Sequence, residues 1–329
     1  MTRWLALVFL FLTACSPRLQ DSGPMVRDAR IEADQFIARD GTPLPIRHWT
    51  PKSGNPWAVI LAFHGFNDYA PAFDTAATFW ARHGVLTYAI DQRGFGKSPH
   101  TGLWAGVATM KADLDALIGA AKKRHGNLPI YLVGDSMGGA VVMTTLAGRA
   151  NDTKPAIAGA VLVAPAVWGR KHLGLFKRSL LWLSAHTAPW LKLSGKGLGI
   201  QPSDNIEMLK KLSADKLVIK KTRIDTIWGL VNLMDGALKS APHIKAPVLL
   251  LYGARDEIIP SRPTKEVAQI LLKRPHTRIA VYDAGYHMLL RDLQAETVFK
   301  DVLAWLKDQK ATLPSNAEKR AQSWVLEIN

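Results

Sequence analysis

The chain has 329 residues, 48% hydrophobic and 21% charged, an ordinary globular composition with enough length for one large domain or two small ones. A formal net charge of +15 favours anionic surfaces, either phospholipid head groups or nucleic acid. No zinc-ligand spacing, arginine-rich arm or RNA- or DNA-binding signature occurs, and nucleic acid is set aside as a partner.

At the N-terminus, Arg3 precedes an apolar run from Trp4 to Leu12, followed by Thr13, Ala14 and Cys15. The run is about half the ~20 apolar residues of a membrane-spanning helix and reads as a secretory signal peptide. Leu12-Thr13-Ala14-Cys15 resembles the lipobox of bacterial lipoproteins, and Cys15 is the only cysteine of the chain. That resemblance implies cleavage before Cys15 and acylation of its thiol and new amine. Residues 1–14 are then the signal peptide and 15–29 the lipidated cysteine with its tether. The protein is expected on the bacterial cell envelope, at the periplasmic side of the outer membrane. Several acyl chains hold a protein on a bilayer where one is marginal. A free, buried Cys15 in an ordinary signal is the alternative. With no second cysteine, no internal disulfide forms. From Ser16 to about Arg27 the sequence is polar and contains Pro17, Gly23 and Pro24, the composition of a tether.

Beyond the tether, "ARIEADQFIAR" and "LPIRHWT" flank Asp40-Gly41, a hairpin signal that predicts an antiparallel edge. Six compact apolar runs follow: "AVILAFHG", "GVLTYAID", "LPIYLVGD", "AGAVLVAP", "APVLLLYG" and "TRIAVYDAG". Near-continuous apolar runs belong to strands buried on both faces. Helical spacing occupies Ala72 to His83, Val107 to Arg124, Gly139 to Arg149, Pro263 to Lys273 and Leu293 to Lys310. The alternation predicts an α/β fold over residues 30–311, a mostly parallel sheet with helices on both faces. Residues 312–329 are read as a C-terminal tail. One interval, about 165–240, lacks a buried strand and is predicted to be an inserted helical cap. Between Pro165 and Leu238 it carries twelve basic and five acidic side chains. Its tryptophans, Trp168, Trp182, Trp190 and Trp228, are expected mostly to pack cap helices on the sheet. Its lysines suit either a solvated face or contact with anionic head groups.

The chemistry concentrates at "PIYLVGDSMGGAVV", residues 129–142. A serine hydroxyl is a poor nucleophile until a base accepts its proton, and the attacked carbonyl develops negative charge that needs donors already in place. A tight turn between strand and helix lifts Ser136 above the sheet and aims the Met137 amide, at a helix N-terminus, towards that charge. Glycine and serine are common enough that G-x-S-x-G alone is weak. A strand before it, a helix after it, and partners in the order serine, acid, histidine strengthen it. "LLLYGARDEIIP" places Asp256 beyond a strand, with Glu257 its close competitor and Asp225 and Asp235 more remote. "VYDAGYHMLL" places His287 at the exit of the last strand, whereas His276 precedes that strand. The second oxyanion donor is expected from the turn after the third strand, "LAFHGFNDY", with the Phe66 amide as candidate and His64 as a brace of the turn.

Together "FHGF", "DQRGFGKS", "GDSMGG", "GARDEIIP" and "AGYHMLL" resemble the monoacylglycerol lipase and lysophospholipase group of α/β-hydrolases, also called serine aminopeptidase-like, in order and spacing from about residue 30 to 310. The resemblance implies Ser136 as nucleophile, His287 as general acid and base, Asp256 as its orienting partner, and the Phe66 and Met137 amides as oxyanion hole. It also makes Asp91 to Ser98 a structural turn, not a nucleotide loop. The implied substrate is a lipid ester, lysophospholipid or monoacylglycerol, with no metal or organic cofactor. The membrane surface is the other implied partner, through acylated Cys15 and the basic cap. Asp135 and Asp68-Tyr69 depart from the histidine and the Glu-His pair that relatives often carry at those places. Two rival functions remain: a peptidase releasing N-terminal residues, and a non-catalytic envelope binding protein on the same fold.

Overall fold

The computed structural model describes residues 16–20, 22–149 and 157–327, so the apolar run Trp4 to Leu12 and Cys15 lie outside the described residues. The strands are β1 (Arg30–Ile31), β2 (Gln35–Ile37), β3 (Pro43–Trp49), β4 (Ala58–Phe63), β5 (Val85–Ile90), β6 (Ile130–Asp135), β7 (Gly159–Val163), β8 (Lys192–Leu193), β9 (Thr222–Arg223), β10 (Val248–Gly253) and β11 (Thr277–Tyr282). The α-helices are α1 (Asp74–Arg82), α2 (Val107–His125), α3 (Met137–Ala147), α4 (Leu175–Thr187), α5 (Ile206–Ala214), α6 (Ile224–Ser240), α7 (Ser261–Leu271), α8 (Ala295–Lys307) and α9 (Ala317–Leu326).

Nine strands form one sheet in the order β1-β2-β3-β5-β4-β6-β7-β10-β11. Pairing is antiparallel from β1 to β5 and parallel from β5 to β11. Every residue of β4, β5, β6, β7 and β10 is buried, the outcome expected of continuous apolar runs covered on both faces. The period of two divides β4 between two cores: Val59, Leu61 and Phe63 pack with α2, α3 and α7, and Ala58, Ile60 and Ala62 with α1 and α8.

Four segments differ from the sequence expectation. "ARIEADQFIAR" is two short strands, because the chain reverses at a turn in which the Glu32 amide donates to the Gln35 carbonyl at 2.7 Å. The loop carrying Phe66 therefore follows the fourth strand, not the third. Residues 312–329 hold α9 rather than a loose tail, with Ala321, Trp324 and Val325 on one helical face in the core. The beginning of the tether is docked: Gln20 donates its amide to the Trp104 carbonyl at 2.8 Å and its side chain to the Leu103 carbonyl at 2.6 Å. Its polar composition reads as solvated, yet the donors find carbonyl acceptors in the 100–106 loop. Among the cap tryptophans, Trp182 and Trp190 are each 53% exposed.

The cap lies between β7 and β10 and contains α4, α5, α6 and the small β8-β9 pair. Helix α6 buries Val231, Leu233, Met234 and Ala237 in the core that also holds α3, which leaves α4, α5 and their connections as the covering part.

"DQRGFGKS" is held by a buried guanidinium. Arg93, 6% exposed, meets Asp40 of the β2-β3 turn at 2.8 and 2.9 Å and Asp113 of α2 at 2.7 and 2.9 Å. Removing one partner of such a group strands buried charge. Arg93→Ala is expected to cost about 3–5 kcal/mol of unfolding free energy by denaturant titration, with the sheet edge affected most in hydrogen exchange.

Candidate active site

Strand β6 and helix α3 meet at Ser136, whose backbone sits at φ +49° and ψ −111°, a conformation that a side chain tolerates only where its surroundings impose it. The imposing contact is the approach of α3 to the sheet. A Cβ at Gly138 would overlap the Phe63 carbonyl, and one at Gly134 would lie 2.6 Å from the Gly138 carbonyl. The elbow is tied down by the Ser136 amide, which donates to the Val163 carbonyl at 2.9 Å, and by its carbonyl, which accepts from Ala166 at 2.9 Å.

Ser136 Oγ lies 3.0 Å from His287 Nε2, and His287 Nδ1 lies 2.8 Å from Asp256 Oδ2. A carboxylate only accepts, so Nδ1 carries the proton and Nε2 accepts from the serine hydroxyl. Asp256 Oδ1 accepts from the amides of Ile258 at 2.8 Å and Ile259 at 2.9 Å, and its side chain is fully buried. Ser136 and His287 are 9% and 5% exposed. All three positions chosen in the sequence converge. The competitors do not: Glu257 accepts from the Gln201 amide, Asp225 pairs with Arg223, Asp235 pairs with Arg170, and His276 occupies an exposed turn.

Met137 opens α3, so its N–H has no acceptor within the helix. The Phe66 loop passes beside the nucleophile, a Cβ at Gly65 falling 3.5 Å from Ser136 Cβ. Among the described residues, neither the Phe66 nor the Met137 amide has a backbone or side-chain acceptor. His64 braces this loop: Nδ1 donates to the Gly65 carbonyl at 2.8 Å, and Nε2 accepts from the Gln92 amide at 3.0 Å. Asp91 caps the next turn through the Ala70 and Lys97 amides.

Sequence reasoning missed Arg291, which donates to Asp68 at 2.6 Å at the polar end of the site. No local pattern marked it, since residues 287–292 form turns and the pair joins positions 223 residues apart. Asp292 was missed too; it holds the histidine loop by accepting from the Tyr286 amide at 2.8 Å and the Ser203 hydroxyl at 2.6 Å.

A cavity of about 480 Å³ opens on Ser136. Its walls are Trp168, Leu181, Leu230, Met234 and Ile258, while Asp68, Asp135 and Arg291 line its polar end. A larger hollow of about 960 Å³ lies at the other end of the strands, against Arg278 and Glu318, and shares no residue with the triad. Burial raises the Asp135 carboxyl, against the pull of Arg291 and His287, to about 6. Burial opposes charging of His287, but the charge and hydrogen bond of Asp256, helped by Asp135, hold the imidazole above its ordinary value.

Residues 54–294 match the family model described as serine aminopeptidase, S33. The chain belongs to the serine aminopeptidase S33 family. It is 25% identical over 288 residues to human monoglyceride lipase, covering 84% of this chain and 91% of that one. It is 25% identical to a phospholipase of Bacillus subtilis, covering 78% and 98%. A crystal structure of the monoacylglycerol lipase of Paleococcus ferrophilus superposes with a TM-score of 0.65 at 26% identity, over 81% of this chain and 99% of that one. The protein is a serine carboxylester hydrolase on the α/β-hydrolase fold.

Reaction requires neutral His287, so kcat/KM falls as pH drops through the raised pKa of the histidine. Asp135→Asn removes a negative charge that favours the imidazolium. The acid limb of the pH profile is therefore expected to move to lower pH by about 0.5–1 unit, measured on a water-soluble ester.

Proposed function

We propose that this hydrolase cleaves a single-chain lipid ester, monoacylglycerol or lysophospholipid, at a membrane surface. The supporting observation is the cavity itself: a lining of mostly apolar side chains around Ser136, with Asp68, Asp135, Lys177 and Arg291 as its charged members, suits an acyl chain joined to a polar head group. In the reaction, His287 Nε2 takes the Ser136 proton as Oγ attacks the ester carbonyl, and the Phe66 and Met137 amides receive the negative charge. The tetrahedral adduct collapses, its C–O bond to the head group breaks, and His287 returns the proton to the departing alkoxide. Water then attacks the acyl-serine with the same histidine as base, releasing the fatty acid and restoring the hydroxyl.

The cap supports membrane contact. On α4, Leu175, Phe176, Leu180, Trp182 and Leu183 are all more than half exposed, beside Lys177 and Arg178. Apolar side chains among bases suit an anionic interface. Acylated Cys15 would add a permanent anchor on the periplasmic side of a bacterial outer membrane. A second reading, aminopeptidase action, draws on one feature, the Asp135 carboxylate at the polar end, which could meet a substrate ammonium.

Ser136→Ala is expected to abolish labelling by a fluorophosphonate and to lower fatty-acid release by about 10⁴-fold or more. Release of amine from aminoacyl anilides, with none of fatty acid from monoacylglycerol or lysophospholipid, would establish the peptidase instead. Cys15→Ser is expected to move the protein from the membrane to the soluble fraction on cell fractionation; equal membrane retention would remove the acyl anchor from the account.

A further inference from the structure

The loop that supplies the Phe66 amide is fastened to the cap by two of its residues, Asn67 and Tyr69. Asn67, at φ +64°, accepts from the Ile219 amide through its carbonyl at 3.0 Å and donates its Nδ2 to Thr222 Oγ1 at 2.7 Å. Two residues on, the Tyr69 hydroxyl donates to Asp215 Oδ2 at 2.6 Å. All three acceptors and donors of the cap lie in one segment, 215–222. Thr222 is 7% exposed and sits in β9, which pairs with β8, so that segment has a rigid end. Next to these bonds, between loop and cap, is a cavity of about 520 Å³ that Asp68, Tyr69, Asp215 and Arg291 help to line. The Tyr69–Asp215 bond therefore spans a gap between loop and cap.

On its other side the loop is held by the His64 bonds to the Gly65 carbonyl and Gln92, by the Arg291–Asp68 pair, and by ring contacts of Phe66 with Phe95 at 5.8 Å and with Trp104 at 6.3 Å between centroids. The peptide that carries the Phe66 N–H is bonded at its Gly65 carbonyl by His64, and the cap bonds of Asn67 restrain the residue that follows it, so the two together fix the small angles that matter to a developing oxyanion.

Resting on the ester-hydrolase reading, we propose that the cap segment Asp215–Thr222 positions the Phe66 amide through Asn67 and Tyr69, so that these cap residues set the chemical step as well as the shape of the acyl site. Asn67, Tyr69, Asp215 and Thr222 are positioning residues in this account; none touches the reacting atoms. An oxyanion donor acts in the transition state and little in the ground state. Loosening it lowers kcat, whereas a change in cap shape alone raises KM.

The test uses the full chain and a short, water-soluble p-nitrophenyl ester, with folding checked by thermal melting. Thr222→Val and Tyr69→Phe are each expected to lower kcat roughly tenfold, a fraction of the ~10²–10³-fold lost when an oxyanion donor is removed outright, with KM changed less than twofold. Asn67→Gly keeps the left-handed backbone while removing the amide, and is expected to do the same. The double variant Asn67→Gly with Thr222→Val should be no slower than Asn67→Gly alone, because both remove one bond. Affinity for a trifluoromethyl ketone, which forms the oxyanion adduct on Ser136, should fall in step with kcat/KM. Higher KM at unchanged kcat, additive losses in the double variant, or undiminished ketone affinity would overturn the proposal. If Thr222→Val or Asn67→Gly does not fold, Tyr69→Phe, the loss of one hydroxyl from a half-buried side chain, decides alone. Wild-type protein that turns over no ester would overturn the underlying ester-hydrolase reading; active wild type with unaltered variants overturns only the positioning role.

Discussion

The approach of helix α3 to strand β4 is the constraint on which the site depends. Backbone meets backbone there, Gly138 lying against the Phe63 carbonyl and Gly134 against Gly138, and no side chain fits between. That approach forces Ser136 into its left-handed conformation and lifts the hydroxyl clear of the sheet. It also brings the first amide of α3 beside the nucleophile without any dedicated side chain. The cost of the backbone conformation, about 1–3 kcal/mol, is offset by the neighbouring hydrogen bonds of Ser136 to Val163 and Ala166 and by burial of nearly the whole of α3.

Charge around the elbow is arranged with similar economy. The Asp256 side chain is fully buried, and two backbone amides and the imidazole N–H satisfy it. Asp68 is matched by Arg291. Among the described residues Asp135 has no such partner, and burial keeps its proton affinity high. One acid is thus committed to orienting the base, one is neutralised, and one is left to titrate beside the histidine. The acidic limb of activity consequently belongs to a coupled group of His287 and Asp135, not to the histidine by itself.

The cap does more than roof the cavity. Its 202–205 segment is bonded to the histidine loop, through Met288 to the Pro202 carbonyl at 2.9 Å, Ser203 to Asp292, and Asn205 to the Arg291 carbonyl at 3.0 Å. Its 215–222 segment is bonded to the loop of Phe66. Base and oxyanion donor, which come from opposite sides of the nucleophile, are therefore both joined to one insertion, while its outward face exposes α4.

The sheet, its parallel run and the triad were legible in the linear chain because each carries a local signature. Buried strands are continuous apolar runs, and Ser136, Asp256 and His287 each stand where a strand ends, in an order that this fold demands. Less was legible at the margins. A three-residue strand and a two-residue strand look like one amphipathic piece, and α9 looks like a tail until Trp324 and Val325 are seen to fill the core. Arg291, the bonds of Asn67 and Tyr69, and the docking of Gln20 were out of reach of any pattern, since each joins residues between 83 and 223 positions apart. The sequence by itself determined the fold and the strand-end positions of Ser136, Asp256 and His287, because hydrophobic period and turn chemistry act over a few residues. Only the tertiary structure decided which charges meet and what holds the oxyanion loop, because those contacts exist only after distant segments have packed together.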